Sequence, residues 1–146
     1  MKAVIQRVQD ATVSVEGTIT GQIDHGLLVY LGIGHDDTEQ QLTWLCEKIV
    51  KLRVFTDEQG KMNRSLADVS GSILVVSQFT LLANLRKGNR PSYNDAAPPQ
   101  KAEALYEQSL KQFAQLGFPV ASGQFGAHMK VSYTNDGPVT LLLEAE

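Results

Sequence analysis

The chain has 146 residues, with 42% hydrophobic and 20% charged side chains, which fits one folded domain over residues 1–146. Its net charge of −3 argues against a protein covered in nonspecific nucleic-acid contacts, because such proteins usually carry a basic excess. The single cysteine excludes an internal disulfide framework, and no apolar run approaches the ~20 residues of a membrane helix. Charges at Lys2 and Arg7 also interrupt any signal-peptide pattern, so we expect a cytoplasmic protein without a membrane partner.

The first part of the chain predicts strands. Residues 2–8 are typical of a strand, and residues 11–23 predict a hairpin that turns at Glu16-Gly17. After His25-Gly26, residues 27–33 are apolar throughout and predict a separate central strand.

A helix is predicted directly after Thr38. Thr38 as the N-cap and Gln41 at the third helical position resemble a capping box. The apolar side chains at helical spacing that share one face are Leu42, Leu45, Cys46, Ile49 and Leu52. Cys46 is interpreted as a buried apolar side chain, since no basic partner that would activate its thiol is identifiable.

A short apolar run at residues 73–76 predicts a buried strand in the middle of the chain. Before it, residues 53–56 predict a strand, and residues 61–71 show no regular pattern. After it, residues 100–116 predict a second amphipathic helix that ends at Gly117.

The C-terminal part predicts two further strands. Residues 124–133 alternate between apolar and polar, and a break at residues 135–138 separates them from a strand at residues 139–143. The pattern as a whole predicts an α/β fold with mixed β-sheets and two main helices, because hairpins and helices both connect the strands. Two helices cannot cover both faces of a sheet, so a second sheet or a partner subunit must bury the other face.

The segment that follows the buried strand carries polar groups out of the core. Ser77, Gln78 and Thr80 bring hydroxyl and amide groups to the end of the strand, where a ligand can meet them. Ser77 and Thr80 are candidate nucleophiles by type, but a hydroxyl needs a base and none is tied to this segment by sequence. Two interpretations stay open: these groups satisfy the backbone at a strand end, or they orient a small polar ligand.

Three positive charges follow shortly afterwards. Arg86, Lys87 and Arg90 lie within five positions, which is compatible with a solvated loop or with contact to a phosphate or nucleic-acid end. Pro91 then stiffens the loop, and Tyr93 offers a ring that could stack on a base.

Other common chemistries lack support. His25, His35 and His128 have no metal-ligand spacing, and no glycine-rich phosphate loop is present, so neither a metal nor a cofactor is expected. A tight turn is the ordinary interpretation of Asn135-Asp136-Gly137-Pro138, although a Gly-Pro peptide bond can also be cis.

Three segments together resemble the signature segments of D-aminoacyl-tRNA deacylases: Ser77–Leu81, Gly88–Tyr93 and Asn135–Thr140. Met1–Gly34 and Phe125–Met129 are also similar to that family, so the resemblance covers essentially the whole chain. One departure is Tyr93, where the family more often has phenylalanine.

The resemblance implies an ester hydrolase that removes a D-amino acid from the 3′ end of a tRNA, with no cofactor. It implies a layered α/β/β domain that forms a homodimer, with each active site at the subunit interface. Gly137-Pro138 would be cis and would enter the partner's site, where bare main chain would exclude L side chains by clash. Glycyl-tRNA, which has no side chain to clash, would then also be cleaved.

The resemblance also implies roles for individual residues. The segment from Ser77 to Thr80 would form the floor of the pocket. The residues implied to contact the substrate are Phe79, Pro91, Ser92, Met129, Gly137 and Pro138. The candidates for RNA contacts are Arg86, Lys87 and Arg90.

Thr80 has two competing roles in this interpretation: a catalytic group, or a positioning group beside a substrate whose own 2′-hydroxyl activates water. The second is favoured, because an aminoacyl ester is already reactive and orientation alone can be worth on the order of 7–11 kcal/mol. Ser77, Gln78 and Thr80 are therefore assigned positioning and hydrogen-bonding roles. Three rival functions stay open: a non-enzymatic nucleic-acid-binding protein, a small-ester or amide hydrolase with a threonine nucleophile, and a structural dimer.

Overall fold

The structure, a computed structural model, describes all residues from 1 to 146 and is built around one five-stranded mixed sheet. The strands are β1 (Lys2–Val15), β2 (Thr18–Gly32), β3 (Phe55–Thr56), β4 (Met62–Arg64), β5 (Ser72–Ser77), β6 (Val120–Ser122) and β7 (Lys130–Glu144). The helices are α1 (Glu39–Lys51), α2 (Pro99–Gln115) and a short 3₁₀ helix (Phe79–Leu82). The sheet order is β6-β5-β2-β1-β7, with β2, β5 and β6 parallel, which confirms the predicted α/β fold with two main helices.

The hairpin of β1 and β2 is longer than predicted. It turns at Glu16-Gly17 as expected, but β2 runs on through His25-Gly26 into the apolar segment instead of breaking there. Gly26 has a φ of +146°, and a Cβ added there would overlap the carbonyl oxygen of Ser72. The glycine therefore marks the place where β5 joins the sheet, since the parallel pairing begins at Gly26 and Ser72.

Helices α1 and α2 cover one face of the sheet. The capping box at Thr38 and Gln41 is present, and the predicted α1 side chains Leu42, Leu45, Cys46 and Ile49 are buried. They belong to a core cluster of 23 buried residues. Burial raises the pKa of the Cys46 thiol to about 12, so this group stays protonated, as expected of a packing residue.

The opposite face, here called the second face, carries a smaller apolar cluster of seven buried residues: Val8, Ala11, Val13, Ile23, Leu28, Leu74 and Val76. No helix covers it. Two helices thus bury one face only, as the sequence predicted. No helix combines the length and the hydropathy required to cross a bilayer.

Several strand boundaries differ from the prediction. The segment 61–71 is not wholly irregular, because Met62–Arg64 pairs with β3, which is itself limited to Phe55–Thr56. The alternating segment 124–133 becomes a strand only at Lys130. β7 is also not interrupted at residues 135–138, because β1 pairs with it on both sides of this segment.

Candidate active site

The segment that begins at Ser77 leaves the sheet through the 3₁₀ helix. The amide of Gln78 donates to the carbonyl of Leu31 at 2.8 Å, which ties this exit to the end of the neighbouring parallel strand. Gly32 makes the close approach possible. A Cβ added there would lie 2.6 Å from Cδ2 of Leu82 and 3.0 Å from the carbonyl oxygen of Gln78.

A cavity of about 710 Å³ opens beside this exit. Its apolar lining includes Leu31, Ile33, Val76, Phe79, Phe125, Met129 and Val131. Ser77 and Gln78 supply hydroxyl and amide groups, and no aspartate, glutamate, lysine or arginine lines the wall. Such a lining suits a largely uncharged ligand that is oriented by a few hydrogen bonds.

Of the predicted site residues, Ser77, Gln78, Phe79 and Met129 all line this cavity. Thr80 does not. It is half-buried behind the lining, and its hydroxyl accepts a hydrogen bond from the side-chain amide of Gln78. Neither Ser77 nor Thr80 is hydrogen-bonded to a histidine or a carboxylate, so the structure holds no activated hydroxyl of the triad type.

The loop after the 3₁₀ helix delivers Tyr93 to the cavity. Its ring meets Phe79 edge-on, with centroids 4.9 Å apart and planes at 69°. A short bridge holds the loop in shape, because the amide of Asn84 donates to the carbonyl of Ser92 at 2.8 Å and the reverse bond is 3.0 Å. Pro91 and Ser92 belong to the loop that this bridge holds, and they do not line the cavity themselves.

The predicted basic residues lie on the same loop. Arg86, Lys87 and Arg90 are all exposed, and none of them takes part in an ion pair. Their charges are therefore available to a ligand in solvent rather than neutralised by a neighbour.

Two histidines for which the sequence analysis found no metal-ligand spacing, His35 and His128, border the cavity. His35 is exposed, and its Nε2 donates to the carbonyl of Asn94 at 2.7 Å, while His128 lies in the segment of residues 125–129 that also lines the cavity. A signal for His35 was available: it follows the strand parallel to β5, and the carboxyl ends of parallel strands meet at one edge of a sheet.

Gly137 and Pro138 lie elsewhere. They belong to a bulge of β7, residues 136–139, which stands opposite the single residue Arg7. The Gly137–Pro138 peptide bond is cis. These residues do not line the cavity of their own chain.

Arg7 holds the bulge from the helix-covered side. Its Nε donates to the carbonyl of Asp136 at 3.0 Å and lies 3.4 Å from the Asp136 carboxylate. Its Nη1 donates to the carbonyl of Val54 at 2.8 Å and to the hydroxyl of Thr56 at 3.3 Å. One largely buried guanidinium thus joins the bulge to the hairpin of β3 and β4, a role that the sequence did not indicate.

The structure contains no group of three or more histidine, cysteine, aspartate or glutamate side chains that could hold a metal ion. The structure therefore offers a cavity without carboxylates, amines or guanidinium groups, a ring pair that includes Phe79 and Tyr93, and an exposed basic loop, while the bulge of residues 136–139 does not line this cavity.

The chain matches the family model described as D-Tyr-tRNA(Tyr) deacylase over residues 4–144. A protein of Opitutus terrae named D-aminoacyl-tRNA deacylase is 58% identical over 99% of this chain and 97% of its own length. A protein of the same name from Thermosipho africanus is 54% identical over 100% and 98% of the two chains.

Solved structures agree in fold. One, titled "c-Myc DNA Unwinding Element Binding Protein", superposes with a TM-score of 0.94 at 44% identity and covers 100% of this chain and 99% of its own. Another, titled as a probable eukaryotic D-amino acid tRNA deacylase, has a TM-score of 0.82 at 17% identity, with 97% of each chain covered, and supports the fold alone.

Proposed function

Because the chain belongs to the D-aminoacyl-tRNA deacylase family, we propose how its own residues carry out that hydrolysis. The protein is a hydrolase that cleaves the ester bond of D-aminoacyl-tRNA and releases free D-amino acid and tRNA. The observation that carries the assignment to this site is the largely apolar cavity, which lacks carboxylates and amines and is lined by the polar groups of Ser77 and Gln78. Residues 1–146 act as one catalytic domain, in the cytoplasm, where charged tRNA is consumed.

Ser77, Gln78 and Thr80 position the ester and the attacking water. The hydroxyl of Thr80 is engaged by Gln78 and has no base beside it, which supports a positioning role over a nucleophilic one. The 2′-hydroxyl of the terminal ribose activates the water, and main-chain amides near Phe79 stabilise the developing oxyanion. Orientation of these groups can supply on the order of 7–11 kcal/mol at best.

The remaining contacts divide between the nucleoside and the phosphates. Phe79 and Met129 form an apolar surface for the terminal nucleoside, and Pro91 and Ser92 shape the loop that brings Tyr93 to it. The exposed charges of the basic loop, Arg86, Lys87 and Arg90, meet phosphates of the acceptor end.

The active site is completed by a second copy of the chain. Gly137 and Pro138 do not reach the cavity of their own chain, and they lie on β7, an edge strand on which Leu142 is 76% exposed. An edge strand with exposed apolar side chains is a natural dimer contact. The bulge then forms a main-chain wall in the partner's cavity, which blocks an L side chain by clash and lets glycine pass.

Replacement of Thr80 tests the chemistry. In single-turnover hydrolysis of D-tyrosyl-tRNA, Thr80→Ala is expected to slow the reaction by about 10-fold, the effect of one lost hydrogen bond. Thr80→Ser, the control that keeps the hydroxyl, should stay near the parent rate. With D-tyrosyl-tRNA that ends in 2′-deoxyadenosine, the parent enzyme should be slower by about 100-fold or more, which is the range of general acid–base assistance. A collapse by many orders in Thr80→Ala with substrate binding intact would restore the nucleophile model.

Subunit mixing tests the shared site. Gln78→Ala homodimers are expected to hydrolyse D-tyrosyl-tRNA slowly, and Gly137→Ala homodimers, whose wall is displaced, are expected to cleave L-tyrosyl-tRNA as well. After exchange, about half of the dimers are mixed, and in each of these the one site that keeps Gln78 receives the unchanged bulge of the Gln78→Ala subunit. That site should again reject L-tyrosyl-tRNA. Mixed dimers that are seen by mass spectrometry but cleave L-tyrosyl-tRNA as the Gly137→Ala homodimers do would contradict a wall supplied in trans. Glycyl-tRNA should be cleaved by the parent enzyme and L-tyrosyl-tRNA should not.

A nucleic-acid-binding function without catalysis is the second candidate. It is favoured by the 44% identical structure titled as a DNA unwinding element binding protein and by the unpaired charges at Arg86, Lys87 and Arg90. Salt-sensitive binding to duplex DNA with no turnover of D-tyrosyl-tRNA would support it. Multiple turnover in the presence of a chelator would exclude it as the main function.

A further inference from the structure

The bulge at residues 136–139 has a second support on the second face of the sheet, the side that Arg7 does not reach. The hydroxyl of Tyr133 donates to Oε1 of Gln6 at 2.6 Å, and Nε2 of the same amide donates to the hydroxyl of Thr140 at 3.0 Å. Tyr133 and Thr140 lie on β7 before and after the bulge, while Gln6 lies on β1. The amide of Gln6 therefore links the two ends of β7 across the bulge.

Asn135 closes the same network. Its Nδ2 donates to the hydroxyl of Thr140 at 3.1 Å, and its Oδ1 accepts from the amide of Val139 at 3.3 Å. The Thr140 oxygen has two acceptor positions, and the amides of Gln6 and Asn135 take both. The network thus runs from Tyr133 to the main-chain amide directly after Pro138.

The network coincides with the limits of the bulge in the sheet. Asn135 pairs with Val8 and Thr140 pairs with Gln6, and these are the last regular pairs on either side. Residues between them have no ladder partner to fix them on this face. Side-chain hydrogen bonds are consequently what fixes the distance between the two ends of the bulge.

We infer that Tyr133 is a positioning residue of the deacylation site, which acts through Gln6 and Thr140 to hold the main chain of residues 136–139 in place. This inference rests on the proposed function, in which that main chain forms the wall that excludes L-aminoacyl groups. A wall works by clash, so a small displacement of its atoms reduces discrimination between D and L substrates before it affects the fold.

Tyr133 has a matched neighbour in Tyr30, whose hydroxyl adjoins that of Tyr133. Burial, together with the Tyr133 hydroxyl, raises the pKa of Tyr30 above its ordinary value, so the Tyr30 hydroxyl stays protonated at physiological pH. Both rings pack against the apolar cluster of the second face. Only Tyr133 is bonded to Gln6, so the two tyrosines separate the effect of that bond from the effect of losing any tyrosine hydroxyl on this face.

The test compares Tyr133→Phe with Tyr30→Phe. Hydrogen exchange of the Val139 amide, measured by NMR, is expected to be about 3- to 10-fold faster in Tyr133→Phe, the loss of roughly one net hydrogen bond, and unchanged in Tyr30→Phe. The ratio of single-turnover rates for D- and L-tyrosyl-tRNA should fall by a similar factor in Tyr133→Phe alone. A second pair of variants tests the same network at Thr140. Thr140→Val, which removes the hydroxyl, should show the same faster exchange and lower ratio, and Thr140→Ser, which keeps the hydroxyl, should stay near the parent protein.

Unchanged exchange at Val139 in both Tyr133→Phe and Thr140→Val would overturn the inference. Faster exchange with an unchanged ratio of D to L rates would support the positioning of the bulge and would instead overturn the proposed wall. Equal effects of Tyr133→Phe and Tyr30→Phe would show that the loss of either hydroxyl is enough and that the bond between Tyr133 and Gln6 has no special role, and would also overturn the inference.

Discussion

The two parts of the proposed site, the strand exit at residues 77–82 and the bulge at residues 136–139, are built differently. The exit continues a buried strand in the interior of the sheet, and Val75 and Val76 just before it are buried. The bulge lies on an edge strand and is held by side-chain hydrogen bonds from Arg7, Gln6 and Asn135. Core packing therefore fixes the position of the strand exit, whereas polar contacts fix the position of the bulge.

This contrast predicts that core changes lower the rate of deacylation itself, while changes behind the bulge lower mainly the discrimination between D and L substrates. The largest effect is expected from Gly32→Ala. Its methyl group would press on Leu82 and the Gln78 carbonyl, with an overpacking cost of about 1–3 kcal/mol in unfolding free energy. Displacement of the cavity wall should lower single-turnover deacylation by about 100-fold.

Gly60→Ala is the control for Gly32→Ala. It lies at φ +80° with open space around it, so it should bring local backbone strain and leave the deacylation rate at the parent level. If Gly32→Ala keeps the parent rate, the exit is not fixed by packing and the contrast between the two parts fails.

Arg7→Lys is expected to have the next largest effect, on selectivity. Lysine keeps the charge but cannot reach Asp136, Val54 and Thr56 at once. Lost hydrogen bonds to a charged group should lower the unfolding free energy by about 1.5–3 kcal/mol, measured in urea. The rate on D-tyrosyl-tRNA relative to L-tyrosyl-tRNA should fall by about 10-fold or more, on the same energy scale.

Arg53→Lys provides the comparison for Arg7→Lys, because Arg53 also binds a main-chain carbonyl, that of Asn63, but has no contact with the bulge. Equal selectivity in the two lysine variants would show that the bulge does not depend on its guanidinium support.

Phe79→Ala should have a smaller effect, confined to binding. Phe79 is 54% exposed and contacts Tyr93 edge-on, an arrangement worth about 0.5–1.5 kcal/mol beyond burial. KM for D-aminoacyl-tRNA should therefore rise by about 2- to 12-fold with little change in kcat. Tyr93→Phe, which keeps the ring pair, should leave KM unchanged, and a large fall in kcat for Phe79→Ala would contradict a pure binding role.

The smallest effect concerns the hairpin of β3 and β4 that Arg7 contacts. Hydrogen bonds from the amides of Lys61 and Gln59 lower the pKa of Asp57 below its ordinary value. A carboxyl with a lowered folded-state pKa adds stability above its unfolded value of about 3.9, and this is lost as the pH falls. Urea unfolding should therefore find Asp57→Asn less stable than the parent at pH about 7 and closer to it at about 3.

The sequence predicted the strand exit better than the bulge, because the exit depends on local residue patterns and the bulge depends on pairing with a distant strand. An apolar run that ends in Ser77 and Gln78 is a local signal, and so is the capping box at Thr38. The continuity of β7 through residues 135–138 depends on its pairing with β1, far away in the sequence, whereas the local Asn-Asp-Gly-Pro chemistry indicates a break.

Other features were missed because they depend on long-range contacts. Arg7 reads as an ordinary strand residue, and only the folded chain places it beneath the bulge. His35 meets the cavity through a contact between distant parts of the chain, because its main-chain amide donates to the carbonyl of Asp95. β6 has only three residues and no periodicity to reveal it. The assignment of Pro91, Ser92 and the basic loop to substrate contacts stays a prediction.

The lack of carboxylates and amines around the cavity places the whole burden of discrimination on admission. Every aminoacyl-tRNA carries the same terminal 2′-hydroxyl, so in the proposed mechanism any ester seated in the cavity would bring the group that activates water. Correctly charged tRNA is abundant in the cell, and nothing in the lining would spare it once it was bound. Protein synthesis would therefore be protected only by a rigid entrance, which makes the stiffness of residues 136–139 as important as the chemistry of the cavity.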